Sequence, residues 1–281
     1  MPSLLSSAGS LNYFKKSRKP VLAGEATNCL SCPAERECIY SAKKIYNERH
    51  LQQGITGWPV KIVVPEIEDC MKKDGLQGAE AELMRRLGED YDADTPIDEV
   101  DSRPWFGRCV YEAGNDVCDD QFVTITWEDD PLPLSANVDT ATRLTGRGAK
   151  TATLHMIAFT ENQCERRGRI YGTKGEIEYD SQVIRVHDFR AGQTKTHHPH
   201  QPGGGHGGGD DGLTMQYVNA IDAVKNQGMS VDKAQKMYVG CSLEEMLRSH
   251  AMVFAAEDAR KGKQVVDWVK WWNRNVEEQL K

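Results

Sequence analysis

The sequence predicts an α+β fold, an open and mainly antiparallel β-sheet with helices packed on one face, and three observations predict it. Short runs of alternating, β-branched character crowd the stretch from Gly107 to Phe189. Helical spacing takes over after Asp210, so strands and helices are segregated along the chain and do not follow a βαβ succession. No G-x-G-x-x-G pattern follows a predicted strand, and no dinucleotide-binding unit is expected within these residues.

The elements follow in order. Residues 1–14 carry strand character through Leu4, Leu5, Leu11, Tyr13 and Phe14, and a polar, cysteine-bearing excursion then leads to a short helix, Tyr40 to Arg49. Trp58 to Val64 is rich in β-branched residues and reads as a strand. Residues 66–103 turn charged and rich in Ala, Glu and Asp, which reads as an exposed insertion holding one helix before an acidic, Pro-broken linker. The runs CVYEA, QFVTITWE, TATLHMIAFT, RRGRIYG, GEIEYD and QVIRVHDF are expected to form an antiparallel meander. Between two of them, 129–150 is long and polar for a hairpin and is expected to be a surface loop.

The C-terminal third is helical. Leu213, Tyr217, Val218, Ile221 and Val224 recur at helical spacing until Gly228, with Asp210 or Asp211 placed to cap the first turn. Ser242 and Glu245 spell a capping box for a second helix that runs to Gly262. A short strand, Gln264 to Trp268, is expected to rejoin the sheet, and 269–281 forms a charged terminal tail with helical potential at Trp271 and Trp272.

With 281 residues and six Trp, the chain can bury a substantial core, and we read 1–281 as a single domain. The net charge of -7 argues against a nucleic-acid surface, since the short basic run Phe14 to Lys19 reads as a solvated loop. No apolar stretch is long enough to span a bilayer, and the N-terminus lacks the basic region of a secretory leader, so a soluble cytoplasmic protein is expected.

Eight cysteines do not form the evenly spread framework of a small secreted domain. Cys29, Cys32 and Cys38 are crowded, and the C-x2-C pair can place two thiolates on a tetrahedral zinc, with His50 or Cys109 as candidates for the remaining ligand. The alternative is a set of reduced, partly buried thiols. A second polar constellation lies in GGGHGGGDDG, where His206 and Asp210 sit at a glycine-lined helix start suited to a hydroxyl-rich or anionic small molecule. His155, inside an apolar run, points either into a site or into the core.

Six blocks in order, SSAGSLNYFKKSRKP, NCLSCPAERECIYSAKKIY, FGRCVYEAGNDVCDDQFVTITWE, RIYGTKGEIEYD, GHGGGDDGL and LRSHAMVFAAEDARKGKQVV, resemble the C-terminal domain of the Gfo/Idh/MocA oxidoreductases. The resemblance extends over nearly the whole chain. It implies the substrate-binding and oligomerisation half of an NAD(P)-dependent dehydrogenase acting on a sugar, inositol or related polyol, with oligomers formed through the sheet face. It also implies a Rossmann domain, an E-K-P lysine and a D-x3-H pair that precede this region, so that Met1 opens inside the longer enzyme and NAD or NADP is supplied only by a Rossmann-domain partner. Arg18-Lys19-Pro20 imitates the lysine motif but follows the SSAGSL strand, so Lys19 is rejected as its counterpart. The resemblance assigns His206 and Asp210 to the substrate wall and adds Asn115 and Asp116, which match an N-D pair of the family; Asp120 stands where the family usually has His, which puts that position's borrowed role in doubt. The alternative reading is a stand-alone, non-catalytic carbohydrate-binding or protein-interaction module.

Overall fold

A computed structural model describes residues 1–112, 114–136, 138–160, 165–203 and 205–280. Ala113 of the CVYEA run and Gly204 of the glycine run lie outside the described residues. In chain order the elements are β1 (Leu4–Ser10), α1 (Val60–Val63), α2 (Ile67–Leu87), α3 (Ile97–Ser102), β2 (Asp120–Trp127), α4 (Thr140–Arg143) and β3 (Lys150–Ile157). There follow β4 (Gly168–Tyr171), β5 (Gly175–Tyr179), β6 (Ile184–Asp188), β7 (Gln193–His197), α5 (Gly209–Lys225), α6 (Val231–Ala234), α7 (Leu243–Gly262), β8 (Val266–Asp267) and α8 (Trp268–Asn275).

The fold is α+β, with two open antiparallel sheets in place of the one expected. The first has the order β3-β2-β1-β8, and the second is a plain meander, β4-β5-β6-β7. Contacts divide the chain into two compact units, one of residues Gly9–Phe122 with His155–Ile157, the other of Met1–Ala8, Val123–Leu154 and Ala158–Lys281.

The unit built on Gly9–Phe122 has its core around α2. Ala79, Leu83 and Leu87 are fully buried on one stripe of that helix, as is Ile67 in its first turn, against Val60, Val63, Val64 and Leu51. The helical part of the segment 66–103 is therefore not exposed throughout; its charges line the outer face of α2, where Glu82 binds Arg85 and Arg86, while 88–103 holds no buried residue. Those two guanidiniums hold the Glu82 carboxyl down to about 2. Gly75 interrupts α2 with a φ of 67°, in the left-handed region that favours glycine. The expected strand Trp58 to Val64 is instead the single turn α1, because Val60, Val63 and Val64 bury themselves at helical spacing. The expected helix from Tyr40 is a wide-turn helix over Lys43–Glu48, and CVYEA contains a tight turn, Val110–Glu112, in place of a strand.

The other unit packs helices on one side of sheet strands. Ala251, Ala255, Ala256 and Ala259 give α7 a smooth stripe that meets Leu5, Val123, Val266, Trp268 and Trp272. Small residues on the helix let the two buried indoles fill the interface. The capping box forms as read: the Ser242 hydroxyl accepts from the Glu245 amide at 3.2 Å, and the Glu245 carboxylate accepts from the Ser242 amide at 2.7 Å. The segment read as a tail begins as α8, which the Asp267 side chain caps through the Lys270 amide and which buries Trp272. The segment 129–150 folds back on itself through Arg147–Asp130 and through Arg143 to the Leu132 carbonyl. Strand β7 escapes a hydrophobic pattern because all five of its residues are exposed.

Candidate functional site

Two constellations carry chemistry, one in each unit. In the first, Cys29, Cys32, Cys38 and Cys109 line a single cavity of about 20 Å³, together with Ala34, Glu35, Ser41 and Tyr111 among others. Backbone pairing brings the distant members together. Asn28 and Arg108 form an antiparallel bridge, the Cys29 amide donates to the Gly107 carbonyl at 2.8 Å, and the Cys109 amide donates to the Thr27 carbonyl at 2.7 Å. Gly107 is required there, since a Cβ would stand 1.6 Å from the Leu87 carbonyl oxygen. Asn28, buried, ties the same carbonyl through its side-chain amide at 2.8 Å.

The local turns place the rest. The Cys32 amide reaches the Cys29 carbonyl at 3.4 Å, and the Cys38 amide the Ala34 carbonyl at 3.0 Å. The Cys29 sulfur accepts from the Ala42 amide at 3.4 Å. Burial pushes the Cys29 thiol up to about 11, against the pull of that amide, and burial also raises Cys109, against the nearby Lys19 ammonium. Among the described residues, no group of three or more His, Cys, Asp and Glu stands in metal-ligand geometry. His50 is committed elsewhere: its Nδ1 meets the Ile45 carbonyl at 2.6 Å, and it does not line the cavity.

Beside the thiols lies an aromatic cluster that the sequence did not announce. Tyr13, Phe14, Tyr40 and Tyr111 pack edge to face or tilted, with Phe14 and Tyr40 centroids 5.0 Å apart. Asp119, only 2% exposed, organises it by accepting from three consecutive amides, Asn12 at 2.7 Å, Tyr13 at 2.7 Å and Phe14 at 2.9 Å. Burial alone would raise the Asp119 carboxyl, but those donors prevail and hold it below its ordinary value. Lys19, read within a solvated basic run, is instead buried against Glu112 at 2.8 Å.

The second constellation opens α5. His206 Nδ1 lies 3.0 Å from both Asp210 oxygens, and both side chains are more than half exposed. His206 holds a left-handed backbone, φ 49° and ψ 40°. Asp210 does not cap the helix as expected: Gly208 occupies the cap position without a side-chain bond, and the Asp210 carboxylate turns to the imidazole. The two residues are thus brought together as a pair, and the exposed pattern suits a ligand-facing position as well as a surface one.

His155 is exposed on β3, with Nε2 2.9 Å from Asp120 and its ring edge-on to Phe122 at 5.7 Å. It is not a core histidine. Asn115 accepts from the Val117 amide at 3.2 Å and, with Asp116, lies in an exposed turn, the geometry of a turn former.

Gly203, Gly205 and Gly208 do spell G-x-G-x-x-G, and β7 precedes them while α5 follows. That strand is, however, the exposed edge of an antiparallel meander, five residues of connection intervene (198–202), and among the described residues both sheets are antiparallel, without the parallel pair of a βαβ crevice. The run does not form the βαβ phosphate turn of a Rossmann domain. Comparison with protein-family models, with curated proteins and with solved structures returned no match to the chain.

Proposed function

We propose that the chain is the substrate-binding part of a Gfo/Idh/MocA-type NAD(P)-dependent oxidoreductase acting on a sugar, inositol or related polyol, in the cytoplasm, with the dinucleotide held by a Rossmann domain outside these residues. The observation that carries this reading is the pairing of His206 with Asp210 in the H-G-G-G-D block. A carboxylate that accepts a hydrogen bond from Nδ1–H leaves Nε2 with its lone pair, free to accept from a substrate hydroxyl. The positive end of α5 adds a field that favours the developing oxyanion. The chain's own contribution is to bind and orient the hydroxyl and to hold its proton; the hydride acceptor belongs to the partner domain.

The meeting of the C-x2-C-x5-C and GRCVY blocks at one backbone bridge also supports the reading, since both belong to the resemblance. A second reading, a non-catalytic module or homo-oligomer acting through the sheet face, is favoured by a row of Ile170, Ile177 and Val186 across β4, β5 and β6, of which Ile170 is exposed.

Calorimetric titration of the purified chain with a sugar and inositol panel, and separately with NAD and NADP, tests the proposal. We expect saturable polyol binding that Asp210→Asn weakens at least tenfold, and no dinucleotide binding. Saturable dinucleotide binding would overturn the division of labour, and polyol binding indifferent to Asp210→Asn would remove the site. A chain that binds no polyol leaves the interaction module as the function.

A further inference from the structure

We propose that Cys29, Cys32, Cys38 and Cys109 bind one zinc ion as a structural tetrathiolate. The inference is independent of the polyol site, because the thiols belong to the other compact unit. Four thiols from two separate stretches of chain converge on one cavity, and its volume of about 20 Å³ is that of roughly one water-sized sphere. A hole of that size has room for one ion.

The backbone is clamped where the ligands sit. The two hydrogen bonds between Thr27–Cys29 and Gly107–Cys109 fix the spacing of the first and last cysteines, and tight turns set Cys32 and Cys38. The Ala42 amide already donates to the Cys29 sulfur, the outer bond that stabilises a thiolate on a metal. Glu35, the one carboxylate on the cavity wall, accepts from the Ser41 hydroxyl at 2.6 Å, and the four thiols are the soft donors of the lining. Sulfur donors select zinc over magnesium or calcium. Among the described residues the sulfurs do not stand in metal-holding geometry, so taking up the ion requires them to move in to about 2.3 Å from it. Packed reduced thiols are the competing account.

The test uses the full chain grown with added zinc and measured by elemental mass spectrometry after gel filtration. We expect about one zinc per chain, lost in Cys32→Ser and in Cys109→Ser and kept in Cys241→Ser, whose cysteine lies off the cavity. Because either loss variant can misfold, wild-type protein stripped by a chelator is also refilled with zinc or cobalt(II). Zinc should then protect these four cysteines, and no others, from maleimide, and cobalt(II) should give the sulfur-to-metal absorption of a tetrahedral thiolate site. Folded wild-type protein that takes up no zinc overturns the proposal. So does zinc that leaves the four thiols reactive, as it would if it were held by the exposed His197, His198 and His200 tract.

Discussion

Replacing Asp119 by Asn should loosen the Gly9–Phe122 unit without touching the surface of the protein. The carboxylate is buried and accepts from three backbone amides, two on one oxygen and one on the other. Asn keeps one acceptor oxygen and turns an NH2 group towards the remaining donor, so at least one buried amide loses its partner and the others lose the charge. A hydrogen bond to a charged group contributes about 1.5 to 3 kcal/mol, and an orphaned buried donor costs a similar amount, so the variant should lose roughly 2 to 4 kcal/mol at neutral pH. Urea unfolding followed by fluorescence of Trp58 and Trp105, which lie in that unit, measures it. The pH dependence gives a second check. The Asp119 carboxyl is depressed in the folded state, so its stabilisation is fully present above the unfolded carboxylate value of about 3.9 and is lost as pH falls through the lower folded value. Wild type and variant should therefore converge in acid. A difference below about 0.5 kcal/mol at neutral pH, or one that persists unchanged after the folded carboxyl has been protonated, would refute the assignment of Asp119 as the organiser of this loop.

Two further outcomes are expected. Leu83→Ala removes a fully buried side chain from α2 and should cost about 2 to 5 kcal/mol in urea; a cost under about 1 kcal/mol would return the segment to the status of a detachable insertion. His206→Gly should leave thermal stability within about 1 kcal/mol of wild type while abolishing the polyol binding described above; a large stability loss would make the pair a structural strut.

Legibility followed contrast. Strands β2 and β3 and the helices α5 and α7 were readable because their apolar residues alternate with polar ones at the right period and their ends carry turn or capping residues, as at Ser242 and Glu245. Helix α2 was misjudged because its buried stripe is sparse, Ile67 and then Ala79, Leu83 and Leu87, amid a dense run of charges. The turn α1 was misjudged because propensity favours strand for Val and Ile, whereas burial at i, i+3 and i+4 decided the outcome. The fourth thiol was readable only as one of two candidates. What chooses Cys109 over His50 is a backbone bridge between segments far apart in sequence, and no local pattern encodes that. Asp119 escaped notice for the same reason, since its partners Asn12 to Phe14 lie at the other end of the unit's sequence.

The energetics of His206 bear on why the pair exists at all. A side chain in the left-handed region costs about 1 to 2 kcal/mol relative to the ordinary helical conformation, in a stretch where glycine is available on both sides at no such cost. Against that cost stands an exposed ion pair or neutral hydrogen bond to Asp210, worth about 1 kcal/mol at best in water. The helix meanwhile starts from a glycine cap, which costs only roughly a few tenths of a kcal/mol against an acidic one. Stability alone would place glycine at 206 and let an acidic side chain cap the helix. A strained imidazole held by a carboxylate in the open is instead the arrangement of a group kept ready for something that arrives from solvent, and that balance is what favours a ligand-binding role over a solvated surface pair.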